Sequence, residues 1–231
     1  MKKIQIVVIN TTEGEVGTLE GNTAESIERL IEKTSKPYSF IYSEVMIIQA
    51  YSRQEEAKEL NKFVAIYKEY DYLLIITNGS EISRNFDELL NPYVKDEKNK
   101  VLYMPLVELG WGIDENKKIR TKGFLNSCLW KSYLTENVGI LDEKLAYRQI
   151  HTTIFGCLIP CSLFETFKFN EDLKYFYQFD FLNKITHEKI EVVGIPKCSI
   201  FLVYDYELKE VSQEEKKEEF KLVSQPTFIN V

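Results

Sequence analysis

The stretch LLIITNGSEI, Leu73 to Ile82, opens on four apolar residues in a row and closes on a polar turn. An unbroken apolar run buries both faces of an extended segment, which predicts an inner strand of a parallel sheet rather than a half-wetted one. The run stops on Thr77, Asn78, Gly79, Ser80 and Glu81. In α/β proteins ligands sit beyond the carboxyl ends of such strands. This strand ends on a single charge.

The same pattern recurs on either side. KIQIVVI predicts a first strand dense in β-branched residues, followed by a Gly- and Thr-rich loop. Asn22 is expected to cap a helix, with Glu25 completing a capping box and Ala24, Ile27, Leu30 and Ile31 forming its apolar face. SFIYSEVMII, Ser39 to Ile48, predicts the second strand. Ser52 and Glu55 cap the next helix, and Ala57, Leu60, Val64 and Tyr67 line one side of it. Beyond the opening stretch, SRNFDELLNPY predicts a short helix stopped near Pro92, and KVLYMPLV, Lys100 to Val107, a fourth strand. Strands alternating with helices up to Val107 imply an α/β fold with a mostly parallel central sheet and helices on both faces. The strand ends then carry Asn10 and Thr11, Glu44, and Thr77 to Glu81.

Glu108 to Arg148 is less periodic and is expected as an irregular excursion across the sheet. TTIFGCLIP predicts a further strand, SLFETF a short helix, EDLKYFYQFDFLNKITHEK a long helix, and VVGIP and SIFLVYDY late strands. Residues 1–210 are expected to form one domain, with 1–107 and 108–210 as its halves and 211–231 as a charged extension.

The 231 residues carry a net charge of −7, which argues against a broad nucleic-acid-binding face. The local basic runs at Lys98–Lys100 and Glu115–Lys122 read as solvated loops. The apolar run Ile4 to Ile9 is too short for a signal peptide, and no run approaches the ~18 residues of a membrane span. The four cysteines, Cys128, Cys157, Cys161 and Cys198, read as reduced thiols of a cytoplasmic-type compartment.

No phosphate-binding loop, dinucleotide fingerprint, zinc-protease helix or nucleophile elbow is present. His151, Cys157 and Cys161 have the residue types of a zinc site, but buried structural thiols fit the strand–turn–helix context better. His151 and His187, the two histidines, have no nucleophile beside them. Asp71, just before the third strand, reads as a capping or surface group. Asp180 lies among Tyr177, Phe179 and Phe181, a setting that suits a catalytic base or one that simply holds a hydrogen bond.

In their order along the chain these segments resemble the family 2 glycosyltransferases, which have the GT-A fold. The resemblance runs through KIQIVVIN, SIERLIEKTSKPYSFIYSE and LNKFVAIYKEYDYLLIITNGSEISRNFDELL. It continues more loosely through GCLIPCSLFETFKFNEDLKYFYQFDFLNKI. In that family an Asp-x-Asp after the third strand holds a divalent metal, Mn or Mg, against the diphosphate of a nucleotide sugar. The matching positions here are Thr77, Asn78 and Gly79, with Glu81 the nearest acid. The family's catalytic base falls on Gln178 in one match and on Asp180 in another. Glu44 matches the acid that holds the nucleotide base. Arg84 or Lys122 could act in place of the metal.

The resemblance therefore implies a GT-A frame with its metal grip missing and no resident cofactor expected. Three functions are in keeping with it: a degenerate module that binds protein partners or self-assembles, cytoplasmic or, on the Tyr-, Lys- and Glu-rich composition, in a virion; a divergent inverting glycosyltransferase with Asp180 as base; or a nucleotide- or sugar-binding protein without turnover. In the third, Asn10, Glu44 and Thr77–Glu81 hold the ligand by hydrogen bonds.

Overall fold

A computed structural model describes residues 1–10, 19, 21–32, 38–66, 69–95, 99–104, 106–113, 119–125, 140–141, 154–195, 200–204 and 213–224. In chain order its elements are β1 (Lys2–Asn10), α1 (Gly21–Glu32), β2 (Phe40–Gln49), α2 (Arg53–Ile66), β3 (Tyr72–Thr77), β4 (Ser80–Ile82), α3 (Phe86–Val94), β5 (Val101–Tyr103), β6 (Leu106–Ile113), β7 (Ile119–Leu125), β8 (Ile140–Leu141), β9 (Cys157–Pro160), α4 (Leu163–Thr166), α5 (Tyr177–His187), β10 (Val192–Gly194), β11 (Ile200–Tyr204) and α6 (Gln213–Ser224).

Seven strands form the main sheet, in the order β2-β1-β3-β9-β5-β10-β8. β1 pairs in parallel with β2 and β3, and β5 with β10. β9 runs antiparallel to both β3 and β5, and β8 antiparallel to β10. The sheet is thus mixed and mostly parallel. A second sheet of four strands, β4-β11-β6-β7, lies beyond the end of β3.

The continuous apolar runs serve two cores, because alternate side chains leave a strand on opposite faces. Val7 and Ile9 of β1, Leu73 and Ile75 of β3, and Cys157 and Ile159 of β9 pack with α2, α4, α5 and α6. Ile4, Ile6 and Val8, with Tyr72, Leu74, Ile76 and Leu158, pack with α1 and α3. Tyr103, Tyr177, Phe179 and Phe181 are each no more than 1% exposed, so much of the aromatic content fills the first of these cores.

Several local expectations change. Asn22 lies inside α1, which begins at Gly21, rather than capping it. α3 continues through Pro92 to Val94. The segment read as a fourth strand divides between the two sheets, as β5 and β6, and the excursion after it contains the antiparallel pair β6–β7. Lys100, read both as the end of a solvated basic run and as the start of the fourth strand, is only 8% exposed. The long helix read over Glu171–Lys189 forms only from Tyr177 to His187. The reason is an alternative partner for the preceding backbone: the Glu219 carboxylate of α6 accepts from the N–H groups of Lys174, Tyr175 and Phe176 at 2.9, 2.7 and 2.9 Å. α6, within the segment read as a charged extension, buries Val223 in the core and sets Phe220 against Phe176 and Phe179. The loop EGEVGTLEG, the basic run Glu115–Lys118, Cys128, His151, Cys198 and the apolar end PTFINV lie outside the described residues, apart from Leu19 and Gly21.

Candidate functional site at the strand ends

β1, β2 and β3 end on polar residues for a local reason: each apolar strand closes on an amide or hydroxyl side chain that can pair with its neighbour. Asn10 and Gln49 are register partners. The Asn10 amide Nδ2 donates to Gln49 Oε1 at 3.0 Å, and Asn78 Nδ2 donates to Asn10 Oδ1 at 3.3 Å. The backbone locks the same three ends: Ala50 N–H donates to Asn10 O at 2.9 Å and Asn78 N–H to Ile9 O at 2.8 Å. Asn10 is 1% exposed, whereas Gln49 and Asn78 are half-buried. All three amides follow the side-chain alternation that faces α1 and α3. A chain of neutral amides, hydrogen-bonded to one another, therefore crosses the carboxyl edge of the sheet.

The turn after β3 is fixed to α1. Gly79 has φ 86°, a conformation that costs glycine little. Its N–H donates to the buried Thr23 Oγ1 at 2.9 Å, and the Thr77 and Ser80 hydroxyls lie 3.1 Å apart. Asn10, Thr77, Asn78 and Gly79 are thus brought together as the sequence suggests. Gln49 and Thr23 join them; Gln49 carried the same signal as Asn10, a lone amide closing an apolar run.

Two expected members lie elsewhere. Glu44 does not end β2, which runs on through Val45–Gln49; it is an exposed residue in mid-strand, at a shift in the register between β1 and β2. Gln5 produces that shift by filling it: Gln5 Oε1 accepts from Ser43 Oγ at 2.7 Å, and Gln5 Nε2 donates to Glu44 O. Glu44 is therefore about 16 Å of strand away from Gln49. Glu81 is not in a loop but in β4, opposite Phe201 of β11, and is half-buried.

On the opposite face of the same edge lies a buried polar network. Glu56, 1% exposed, accepts from Arg53 Nη1 at 2.8 Å and from the Tyr177 hydroxyl at 2.7 Å. Gln178 Nε2 donates to the Tyr177 oxygen at 3.0 Å, and Gln178 Oε1 accepts from Ile154 N–H at 3.3 Å. Burial first, and then the Glu56 charge, holds the Tyr177 phenol well above its usual range, so it remains a donor. The Arg53 guanidinium lies 5.6 Å from the centre of the Phe155 ring. Asp180, on the first turn of α5, pairs instead with Lys184 one turn on, at 2.6 Å.

Asp71 lies at the opposite, amino edge, where its carboxylate accepts from Lys3 N–H at 2.7 Å. A cavity of about 700 Å³ opens there between Lys2, Asp71, Asn99, Cys161 and Glu165, away from the strand ends that hold ligands in such folds. Burial, with Asp71 nearby, pushes the Cys161 thiol up to about 12, while Cys157 is a buried member of β9. Among the described residues no three His, Cys, Asp or Glu side chains form a metal-binding group. No described helix is long and apolar enough to cross a membrane.

No protein-family profile and no curated protein sequence matches the chain. Solved structures do. The chain is similar to S. aureus TarS, with 13% identity and a TM-score of 0.57 over 96% of this chain and 39% of that one. Against TarS 1-349 in complex with UDP the identity is 13% and the TM-score 0.58, covering 96% of this chain and 64% of that one. Against GalNAc-T7 with UDP, GalNAc and Mn2+ the identity is 9% and the TM-score 0.54, covering 89% and 44%. The chain thus spans about two fifths of the length of TarS. At these identities the likeness concerns the fold, and that fold is the α/β GT-A-like fold of these glycosyltransferases.

Proposed function

We propose that this domain binds a nucleotide or nucleotide sugar at the carboxyl edge of its sheet without a divalent metal and without transferring the sugar. It is a degenerate glycosyltransferase-like module. The observation that carries this reading is the amide chain Gln49–Asn10–Asn78, which crosses the strand ends where a metal-dependent transferase of this fold gathers acids. Amides read the hydrogen-bonding edges of a base or sugar but do not neutralise a leaving diphosphate. Gln178 adds support. At one of the two places matched to the base, both of its amide groups are engaged in holding Tyr177 and Ile154, and an amide does not accept a proton as a carboxylate does. The UDP-bound neighbour supplies the ligand class to test first.

Titration calorimetry with UDP in EDTA, repeated with manganese, tests the reading. The expected result is binding at millimolar ligand or below, unchanged by the metal, with no sugar released from UDP-sugars on long incubation. Binding that requires manganese, or sugar release, overturns it, as does no binding at millimolar UDP.

A second role, as a module that self-assembles or binds a protein partner, has its first candidate contacts in Ile66 of α2 and Leu222 of α6. They are 73% and 72% exposed, on helices that cover the same face of the sheet. Light scattering that shows only a monomer across a wide concentration range counts against self-assembly.

A further inference from the structure

The carboxyl edge has two sides, and only one of them carries neutral amides. Gln49, Asn10 and Asn78 follow the alternation that faces α1 and α3. Thr77 follows the opposite alternation, with Leu73 and Ile75, toward the face covered by α2 and α5. On that second side stands Arg53, the first residue of α2, three residues after Ala50, whose N–H is tied to Asn10 O.

Its placement is over-determined. Nη1 is held by the buried Glu56, and the guanidinium covers the ring of Phe155, itself only 5% exposed. Phe155 is in turn fixed by Gly156, which has φ 82° and whose N–H donates to Ile75 O at 2.9 Å, two residues before Thr77. The Arg53 side chain is nevertheless 45% exposed. Glu56, an anion it pairs with, is by contrast shut away from solvent, its side chain only 2% exposed. The strand-end residues Asn10, Gln49, Thr77, Asn78, Gly79 and Ser80 bring no charge of their own.

We propose that Arg53 is the phosphate-holding residue of this edge: a nucleoside diphosphate lies across the strand ends with its base or ribose on the amide chain and its phosphates toward Arg53, a fixed cation in the role a divalent metal has elsewhere. This rests on the nucleotide-binding reading above. A planar guanidinium suits phosphate oxygens, and a cation already oriented by Glu56 and Phe155 loses little freedom when it engages them. A held cation of this kind gives preference for phosphate over nucleoside without any metal.

The test is the ratio of affinities for UDP and uridine, both in EDTA, for the wild-type chain, Arg53→Lys and Arg53→Gln. The wild type is expected to prefer UDP on the order of tenfold. Arg53→Gln should bring the ratio close to one with uridine binding unchanged, and Arg53→Lys should fall between. A ratio that survives Arg53→Gln, or a wild type that binds both ligands equally, overturns the assignment while leaving nucleotide binding standing. A wild type that binds neither ligand removes both.

Because Arg53→Gln also strips a partner from buried Glu56, a second measurement on the unmutated chain guards against misfolding. Modification of Arg53 by phenylglyoxal, followed by mass spectrometry, should be slowed by UDP and not by uridine. Equal modification with and without saturating UDP overturns the proposal.

Discussion

Tyr177 shows how one side chain joins two halves of the molecule. Its hydroxyl donates a hydrogen bond to Glu56 of α2 and accepts one from Gln178, so a single oxygen ties α2 to the start of α5. Tyr177→Phe keeps the ring in the core and removes both bonds, leaving buried Glu56 with Arg53 alone. Urea unfolding at pH 7 should show a loss of about 1–3 kcal/mol. The pH dependence has a definite sign. The phenol's pKa is raised on folding, so the native state binds this proton more tightly than the unfolded chain. Its contribution is complete below the ordinary value of 10.0 and is lost as the pH rises above it. The phenylalanine variant should therefore lose less stability than the wild type between pH 9 and 11. At this scale the sequence was readable wherever a polar residue closed an apolar run, as at Asn10 and Thr77–Gly79. It was not readable at Glu44, because the register shift there depends on Gln5, a residue of the neighbouring strand 39 positions away.

α6 and α5 illustrate how one element decides the extent of another. The sequence from Glu171 to Lys189 reads as one helix, yet its first part is held in turns. Glu219 satisfies three successive backbone N–H groups there, an arrangement that also places a negative charge before the positive end of the α5 dipole. Nothing in the local sequence of α5 announces this partner, which lies more than 40 residues later. Charge-assisted bonds of this kind make Glu219→Gln cost about 1–3 kcal/mol. Glu215→Gln, at an exposed position where the carboxylate accepts from the Tyr175 hydroxyl, should change stability by less than about 0.5 kcal/mol. Thermal melts of the two variants side by side measure the difference; equal melting temperatures would show that Glu219 does not clamp this segment. The cap of α2, by contrast, was fully local and fully legible. Ser52 Oγ accepts from Glu55 N–H at 3.2 Å, and Glu55 Oε2 accepts from Tyr51 N–H at 2.7 Å.

For the whole molecule, alternation of apolar strands with amphipathic helices was enough to foresee an α/β sheet covered on both faces, because β1, β2 and β3 lie side by side in its parallel part. The division of Lys100–Val107 between two sheets was hidden, since both β5 and β6 read as apolar strands and only long-range pairing separates them. The direction of β9 was hidden for the same reason. β9 holds the sheet together in the middle, paired with β3 on one side and β5 on the other. Ile159 is 0% exposed within the first core, so Ile159→Ala should cost about 2–5 kcal/mol. Hydrogen exchange should then quicken in β3 and β5 together. A change confined to β9 itself would mean that the two halves of the sheet are held independently.

The position of β9 also sets a timetable for synthesis. β3 is complete at Thr77, but the strand that pairs with its far side ends only at Pro160. At about 5–20 residues per second a ribosome takes roughly 4–17 s to cover that interval. Throughout it, the nascent chain carries an apolar strand with one row of amides and carbonyls still unmatched. That is the interval in which a chaperone has most to protect, and in which neighbouring chains on one message are most prone to pair with each other.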